Sequence, residues 1–112
     1  MLPSALPLGV QVLVLCAEWC SQCRSFLPLV QGLPGLHWVD IEDAGLDAEE
    51  LGISAFPSVA IFRPTGVLRY LGPVRADLDG FLLSVAQLSR LDELPVPAAL
   101  RVAMGGPYFP PR

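Results

Sequence analysis

Three cysteines lie between positions 16 and 23, and they are the side chains whose spacing most favours chemistry. Cys20 and Cys23 are separated by two residues, and Cys16 precedes them both. Disulfide exchange requires a thiolate that attacks a sulfur atom and a second thiol close enough to expel the bound partner. At the start of a helix this spacing meets both needs, because the free N–H groups and the dipole of the first turn stabilise an anion. The spacing therefore predicts a redox pair, with Cys20 as the nucleophile and Cys23, one turn into the helix, as the resolving thiol.

Two other interpretations of these cysteines stay open. They are inert core thiols, or half of a zinc site, for which about four ligands are needed. The further candidate ligands are Cys16 and the only histidine, His37. Cys16 itself is most simply a small apolar core residue, and the sharper alternative is a third thiol within reach of Cys20 or Cys23. We expect the redox pair and no metal.

A strand before the pair and a helix after it must position the two thiols. Residues 10–16 are almost entirely apolar and rich in valine, which is typical of a strand buried on both faces. In this strand Cys16 has the same parity as Val14, so both should face the helix that carries the pair. That helix is predicted over residues 20–31, with a bend at Pro28 because a proline ring removes a donor and crowds the preceding turn.

The rest of the chain alternates short strands and helices. Strands are predicted at residues 36–41, 58–62 and 67–71, and helices begin at Asp43 or Asp47 and at Asp77 or Asp79. The order β-α-β-α-β-β-α predicts an α/β fold with a central mixed four-stranded sheet and helices on both faces. Right-handed crossovers should make the first three strands parallel. A loop at residues 63–66 should make the fourth strand antiparallel to the third.

The last twenty residues differ in composition from the rest. We expect a single domain at residues 1–92 and a tail rich in proline and glycine at residues 93–112. The apolar side chains of the tail are predicted to cover the sheet edge, to cover a bare sheet face, or to pack on a second copy of the chain. They are Leu100, Val102, Met104, Tyr108 and Phe109.

Composition argues against several classes of function. The chain of 112 residues is 53% hydrophobic with a formal net charge of −4, and its seven basic residues are scattered arginines, so no nucleic-acid-binding surface is expected. No apolar run approaches the ~20 residues of a membrane span, and the N-terminus lacks the basic region and small-residue cleavage site of a signal peptide. An odd number of cysteines does not favour a secreted, disulfide-stapled framework. We therefore expect a cytoplasmic protein that binds neither nucleic acid nor membrane.

Four segments, in the same order along the chain, resemble the thioredoxin family. They are Ala17-Glu18-Trp19-Cys20-x-x-Cys23, Pro28 five residues after Cys23, Val39-Asp40-Ile41-Glu42, and Gly52-Ile53-x-x-Phe56-Pro57-Ser58-Val59-x-x-Phe62. Gly66 and Gly72 also fall where the last hairpin of the family has glycines. The resemblance covers about residues 10–91 and implies a thioredoxin-like fold. The fold would be a trimmed one that lacks the first strand and helix of the family, because only nine residues precede the first predicted strand.

The resemblance also implies a function. The chain would be a thiol-disulfide oxidoreductase that exchanges a Cys20–Cys23 dithiol or disulfide with protein disulfides and acts as a reductase. Pro57 would be a cis-proline packed against the pair, and the backbone of Phe56 would face an extended substrate. The implied substrate-binding residues are Trp19, Ser21, Gln22, Phe56 and Pro57. The Cys20–Cys23 disulfide would replace any cofactor, the partners would be protein disulfides and an electron donor, and the chain would be a monomer or a weak homodimer through its tail.

Departures from the family pattern cluster behind the cysteines. Val14 stands where thioredoxins bury an aspartate, Trp38 where many have a lysine, and Cys16 where they have an aromatic residue. The aspartate is thought to take the proton from the resolving thiol, so that step should be less assisted here. These losses favour an alternative function, a thioredoxin-like binding or assembly-chaperone module with vestigial redox activity. A peroxide-reducing relative is disfavoured, because that chemistry needs a lone reactive thiol with its own basic partner and only Arg24 is near.

Overall fold

A computed structural model describes residues 5–64, 67–97 and 100 of the chain. Their elements follow the predicted order, and the fold is α/β with a mixed four-stranded sheet. The strands are β1 (Gln11–Cys16), β2 (Leu36–Asp40), β3 (Ser58–Phe62) and β4 (Leu68–Pro73). The helices are α1 (Ser21–Val30), α2 (Ala48–Leu51) and α3 (Leu78–Leu88). Two of the predicted cap residues are confirmed, since the side chains of Asp47 and Asp77 accept N–H bonds at the starts of α2 and α3.

The sheet has the strand order β2-β1-β3-β4. Strand β1 is parallel to β2, whereas β3 is antiparallel to both β1 and β4. The prediction that the first three strands are all parallel is therefore wrong for β3. The connection from β2 to β3, residues 41–57, contains only the four-residue α2. It therefore lacks the crossover helix that usually joins parallel strands, on which the prediction depended.

The antiparallel direction of β3 determines which residues meet at the site. Leu15, near the end of β1, is paired with Ser58 at the start of β3. The chain that enters β3 therefore lies at the same end of the sheet as Cys16. Phe56 and Pro57, which immediately precede β3, are brought to the cysteines in this way.

Helices α1 and α3 cover one face of the sheet. Phe26 of α1 is fully buried and lies 5.2 Å from Phe81 of α3 and 6.2 Å from Trp38 of β2, measured between ring centroids. The core on this face includes Val10, Val12, Val14 and Cys16 from the β1 segment. The predicted orientation of Cys16 and Val14 toward the cysteine-bearing helix is thus confirmed. Pro28 lies inside α1, as predicted.

Residues near α2 and residues beyond position 92 cover the opposite face. Leu100 is fully buried there, and Val96 packs against the same core. At the sheet edge, the Leu94 N–H donates to the Leu68 carbonyl at 2.8 Å. Residues of the predicted tail thus contact both the edge and the second face of the sheet.

The other expectations for the termini and the hairpin lie outside the described residues. They concern Val102, Met104, Tyr108 and Phe109 of the tail, the hairpin glycine Gly66, and the first four residues of the chain.

Candidate functional site

The site forms where β1 ends and α1 begins. Cys16 is the last residue of β1, and the chain turns so that the Cys20 N–H donates to the Ala17 carbonyl at 3.0 Å. Cys20 is the N-cap residue of α1 in an extended conformation, and its side chain makes no capping hydrogen bond. No acidic residue occupies the first turn of α1. A thiolate at Cys20 would therefore lie at the positive end of a ten-residue helix with no carboxylate in the first turn to oppose it.

Cys23 is bonded to Cys16 rather than to Cys20. The two residues form a disulfide with a Cα–Cα separation of 6.0 Å, which lies in the usual range for such a bond. Each is only 2% exposed. Cys20 is a free, half-buried thiol. The structure thus brings all three cysteines together. It shows the alternative interpretation of Cys16, a third thiol within reach of Cys23, rather than only an apolar core residue.

An open groove of about 540 Å³ lies beside Cys20. We call it the outer groove; it is lined by Trp19, Cys20, Ser21, Gln22, Ser54, Ala55 and Phe56. Trp19 is 68% exposed, and its ring meets the ring of Phe56 edge to face at a centroid distance of 5.7 Å. Four of the five predicted substrate-binding residues therefore line one surface with the Cys20 thiol. Ser54 and Ala55 were not predicted; their position directly before Phe56 was the signal in the sequence.

The fifth predicted substrate-binding residue, Pro57, is buried and follows the groove-lining residue Phe56 in the chain. The Phe56–Pro57 peptide bond is cis, as the resemblance implied. The Val74 N–H donates to the Pro57 carbonyl at 3.2 Å. The Ser58 hydroxyl donates to the Ala55 carbonyl at 2.6 Å. These bonds fasten the segment that carries Phe56 to the rest of the fold.

A second, smaller pocket of about 160 Å³ opens on the buried disulfide. We call it the inner pocket; it is lined by Cys16, Ala17, Glu18, Cys23, Arg24, Leu27, Trp38 and Asp40. Asp40 is the β2 neighbour of Cys16, and its Oδ1 accepts the N–H groups of Glu42 at 2.9 Å and Asp43 at 3.3 Å. The inner pocket and the outer groove have no lining residue in common.

The region behind the disulfide is apolar at the position where thioredoxins bury an aspartate. Val14 is fully buried, and its β2 neighbour is Trp38. Neither side chain can accept a proton. Two carboxylate residues, Asp40 and Glu18, line the inner pocket together with the two bonded cysteines.

His37, the remaining candidate zinc ligand, lies on the other face of the sheet. Its neighbour in β1 is Leu13, which belongs to the second core. The His37 Nε2 lies 2.7 Å from the Gln11 Oε1, and burial lowers the pKa of the imidazole. In the described part of the chain, no group of three or more potential ligands is arranged to hold a metal ion.

Comparison with known proteins supports the resemblance drawn from the sequence. The chain is 28% identical over 61 residues to a thioredoxin of Chlamydia caviae, a match that covers 49% of this chain and 60% of the relative. It therefore spans less than two thirds of the length of the curated relative that it matches. No family model matches the sequence.

Solved structures with the same fold are also similar to this chain. The crystal structure of the Malassezia sympodialis thioredoxin (Mala s 13) matches with a TM-score of 0.54 and 25% identity, covering 72% of this chain and 76% of that one. The first thioredoxin domain of mouse protein disulfide-isomerase A4 matches with a TM-score of 0.50 and 21% identity, covering 81% and 71%. The fold is therefore thioredoxin-like. Among the residues that the structure describes, no helix has the length and apolar character to cross a membrane.

Proposed function

We propose that this protein is a thiol-disulfide oxidoreductase that reduces disulfide bonds in other proteins. The observation that carries the proposal is the position of Cys20. Its free thiol is half-buried at the start of α1 and lines an open groove with Trp19 and Phe56. A nucleophile needs this combination of access, an anion-stabilising helix end and a surface that holds the substrate.

The reaction proceeds by two exchanges. The Cys20 thiolate attacks one sulfur of a substrate disulfide, the substrate bond breaks, and the leaving sulfur departs as a thiolate that takes a proton from water. The Cys23 thiolate then attacks the Cys20 sulfur and expels the second substrate thiol. One substrate disulfide becomes two thiols, and two protein thiols become one disulfide. An external dithiol donor completes the cycle.

A second candidate function is a binding or assembly-chaperone module. It is favoured by the bond between Cys16 and Cys23, which removes the resolving thiol, and by the absence of a buried carboxylate at Val14. In that function the outer groove would hold a client segment, and the cysteines would take no part.

Turbidity during the reduction of insulin by dithiothreitol separates the two functions. The wild-type protein should accelerate precipitation of the insulin chains several-fold, because an enzyme thiolate attacks disulfides faster than the small thiol. Cys20→Ser should reduce the rate to that of dithiothreitol alone. A wild-type rate equal to the dithiothreitol background would overturn the enzyme proposal.

A further inference from the structure

The Cys16–Cys23 bond has a different environment from the Cys20 thiol. Both bonded residues are 2% exposed, whereas Cys20 is half-buried and borders the outer groove. Cys16 is at the end of β1 and Cys23 is the third residue of α1, so the bond joins the sheet to the helix. Cys23 lies three positions after Cys20, in the first turn of α1, and is bonded to Cys16. Cys23 is therefore the residue through which Cys16 and Cys20 can exchange.

We propose that Cys16 is the terminal resolving thiol, so that oxidation ends in a buried Cys16–Cys23 disulfide and leaves Cys20 as a free thiol. This inference rests on the proposed function, because it extends the exchange that begins at Cys20. It assigns to Cys16 a catalytic step that the spacing of Cys20 and Cys23 does not require.

The added step conserves atoms and electrons. After the second exchange the protein holds a Cys20–Cys23 disulfide and a Cys16 thiol. Cys16 loses its proton and attacks the Cys23 sulfur, the Cys20–Cys23 bond breaks, and Cys20 leaves as a thiolate. Over the whole sequence one substrate disulfide is reduced to two thiols, and the Cys16 and Cys23 thiols supply the two electrons.

Two features of the fold favour this direction. The leaving group, Cys20, departs at the start of α1, where the helix dipole stabilises a thiolate. The attacking group, Cys16, has the carboxylate residue Asp40 as its β2 neighbour, and both line the inner pocket. A proton released from Cys16 thus has an acceptor in that pocket. The buried product disulfide is also shielded from thiols that occupy the outer groove.

A single-turnover experiment can locate the disulfide. Fully reduced protein is mixed without oxygen with one equivalent of insulin disulfide, quenched with acid at successive times and alkylated with N-ethylmaleimide. Trypsin cannot separate the three cysteines, because the first arginine is Arg24 and the chain has no lysine. A glutamate-specific protease cuts after Glu18 and places Cys16 on a different peptide from the other two. Fragmentation of these peptides then identifies the alkylated cysteine.

The proposal predicts that the wild-type protein ends with its single alkylated thiol at Cys20 and with the two peptides linked. In Cys16→Ala no alkylated thiol should remain, because oxidation stops at Cys20–Cys23. Val14→Ala, a core substitution in the same strand, should behave like the wild type and controls for loosened packing. A sample without insulin should show alkylation at all three cysteines.

Two other outcomes would overturn either the role of Cys16 or the proposed function. A wild-type disulfide that stays between Cys20 and Cys23, with Cys16 alkylated, would overturn the role of Cys16 and leave the proposed function intact. Three alkylated cysteines after incubation with insulin would overturn the proposed function itself.

Discussion

The outer groove and the inner pocket are lined by residues that are close in the chain, but they differ in volume and in the exposure of their cysteines. The outer groove is open, about 540 Å³ in volume, and contains a free thiol next to a tryptophan that is 68% exposed. The inner pocket is about 160 Å³ and contains two bonded cysteines that are each 2% exposed. The outer groove is therefore the larger of the two and borders the more exposed cysteine. Under the proposed function, this difference would assign capture of a substrate and storage of its oxidising equivalents to different sulfur atoms.

Cys23 can form a disulfide either with Cys16 of the inner pocket or with Cys20 of the outer groove. Its removal should therefore have the largest effect on insulin reduction. In Cys23→Ser, neither the Cys20–Cys23 nor the Cys16–Cys23 bond can form. With dithiothreitol present, insulin reduction should fall to the rate of dithiothreitol alone. Without dithiothreitol, Cys20 should stay in a mixed disulfide with the substrate. Non-reducing electrophoresis and mass spectrometry of the trapped adduct measure this result.

Cys16→Ala is the matched control for the trap. It retains Cys23, so the mixed disulfide should resolve. Rapid resolution in Cys23→Ser would mean that Cys16 reaches Cys20 directly, and the separation of the two pockets would then be wrong.

Local sequence patterns predicted much of the outer groove. Trp19, Cys20, Ser21 and Gln22 are consecutive, so a strand followed by a helix start is enough to place them together. The link to Phe56 was available only through the resemblance to thioredoxin, because it depends on a contact between distant segments. The physical rule for crossovers predicted a parallel β3, and a parallel strand would have begun at the far end of the sheet from the cysteines.

In the inner pocket, the sequence pattern predicted the orientation of Cys16 but not its bond to Cys23. Strand parity predicted that Cys16 faces α1, and this is confirmed. Its bond to Cys23 depends on how far α1 lies from the sheet, which large side chains such as Phe26 determine by packing. The same limit applies to the tail, where the sequence left three alternative contacts for Leu100 and did not decide among them; the structure buries it against the second face.

Proton transfer from the resolving thiol should respond to a carboxylate introduced at position 14. We expect Val14→Asp to speed release of the mixed disulfide roughly tenfold near neutral pH and to weaken its pH dependence, because a nearby base takes the proton from the resolving thiol. Single-turnover release rates between pH 6 and pH 9 measure the effect. An unchanged rate in a folded variant would refute the account of the Val14 departure.

Val14 is fully buried, so an aspartate there costs several kcal/mol of folding stability, and the variant has to be checked by urea unfolding.

Asp40→Asn provides an independent test that does not alter the core. It should slow formation of the Cys16–Cys23 disulfide, because Asp40 is the β2 neighbour of Cys16. Glu18→Gln removes the other carboxylate of the inner pocket, on an exposed side chain, and should have little effect. Equal slowing by both variants would point to general electrostatics rather than to Asp40.

Trp19 should give the smallest effect and the one most confined to the outer groove. Trp19 is 68% exposed in the outer groove, and an aromatic contact with a substrate side chain is worth about 0.5–1.5 kcal/mol, so Trp19→Ala should raise the KM for insulin about 2- to 10-fold. The position of the disulfide after one turnover should not change, because the inner pocket does not include Trp19. Leu29→Ala, which alters an exposed leucine elsewhere on α1, is the control and should leave KM unaltered. If Trp19→Ala instead moved the disulfide from Cys16–Cys23 to Cys20–Cys23, the groove and the pocket would be coupled, and substrate capture would influence where the oxidising equivalents are stored.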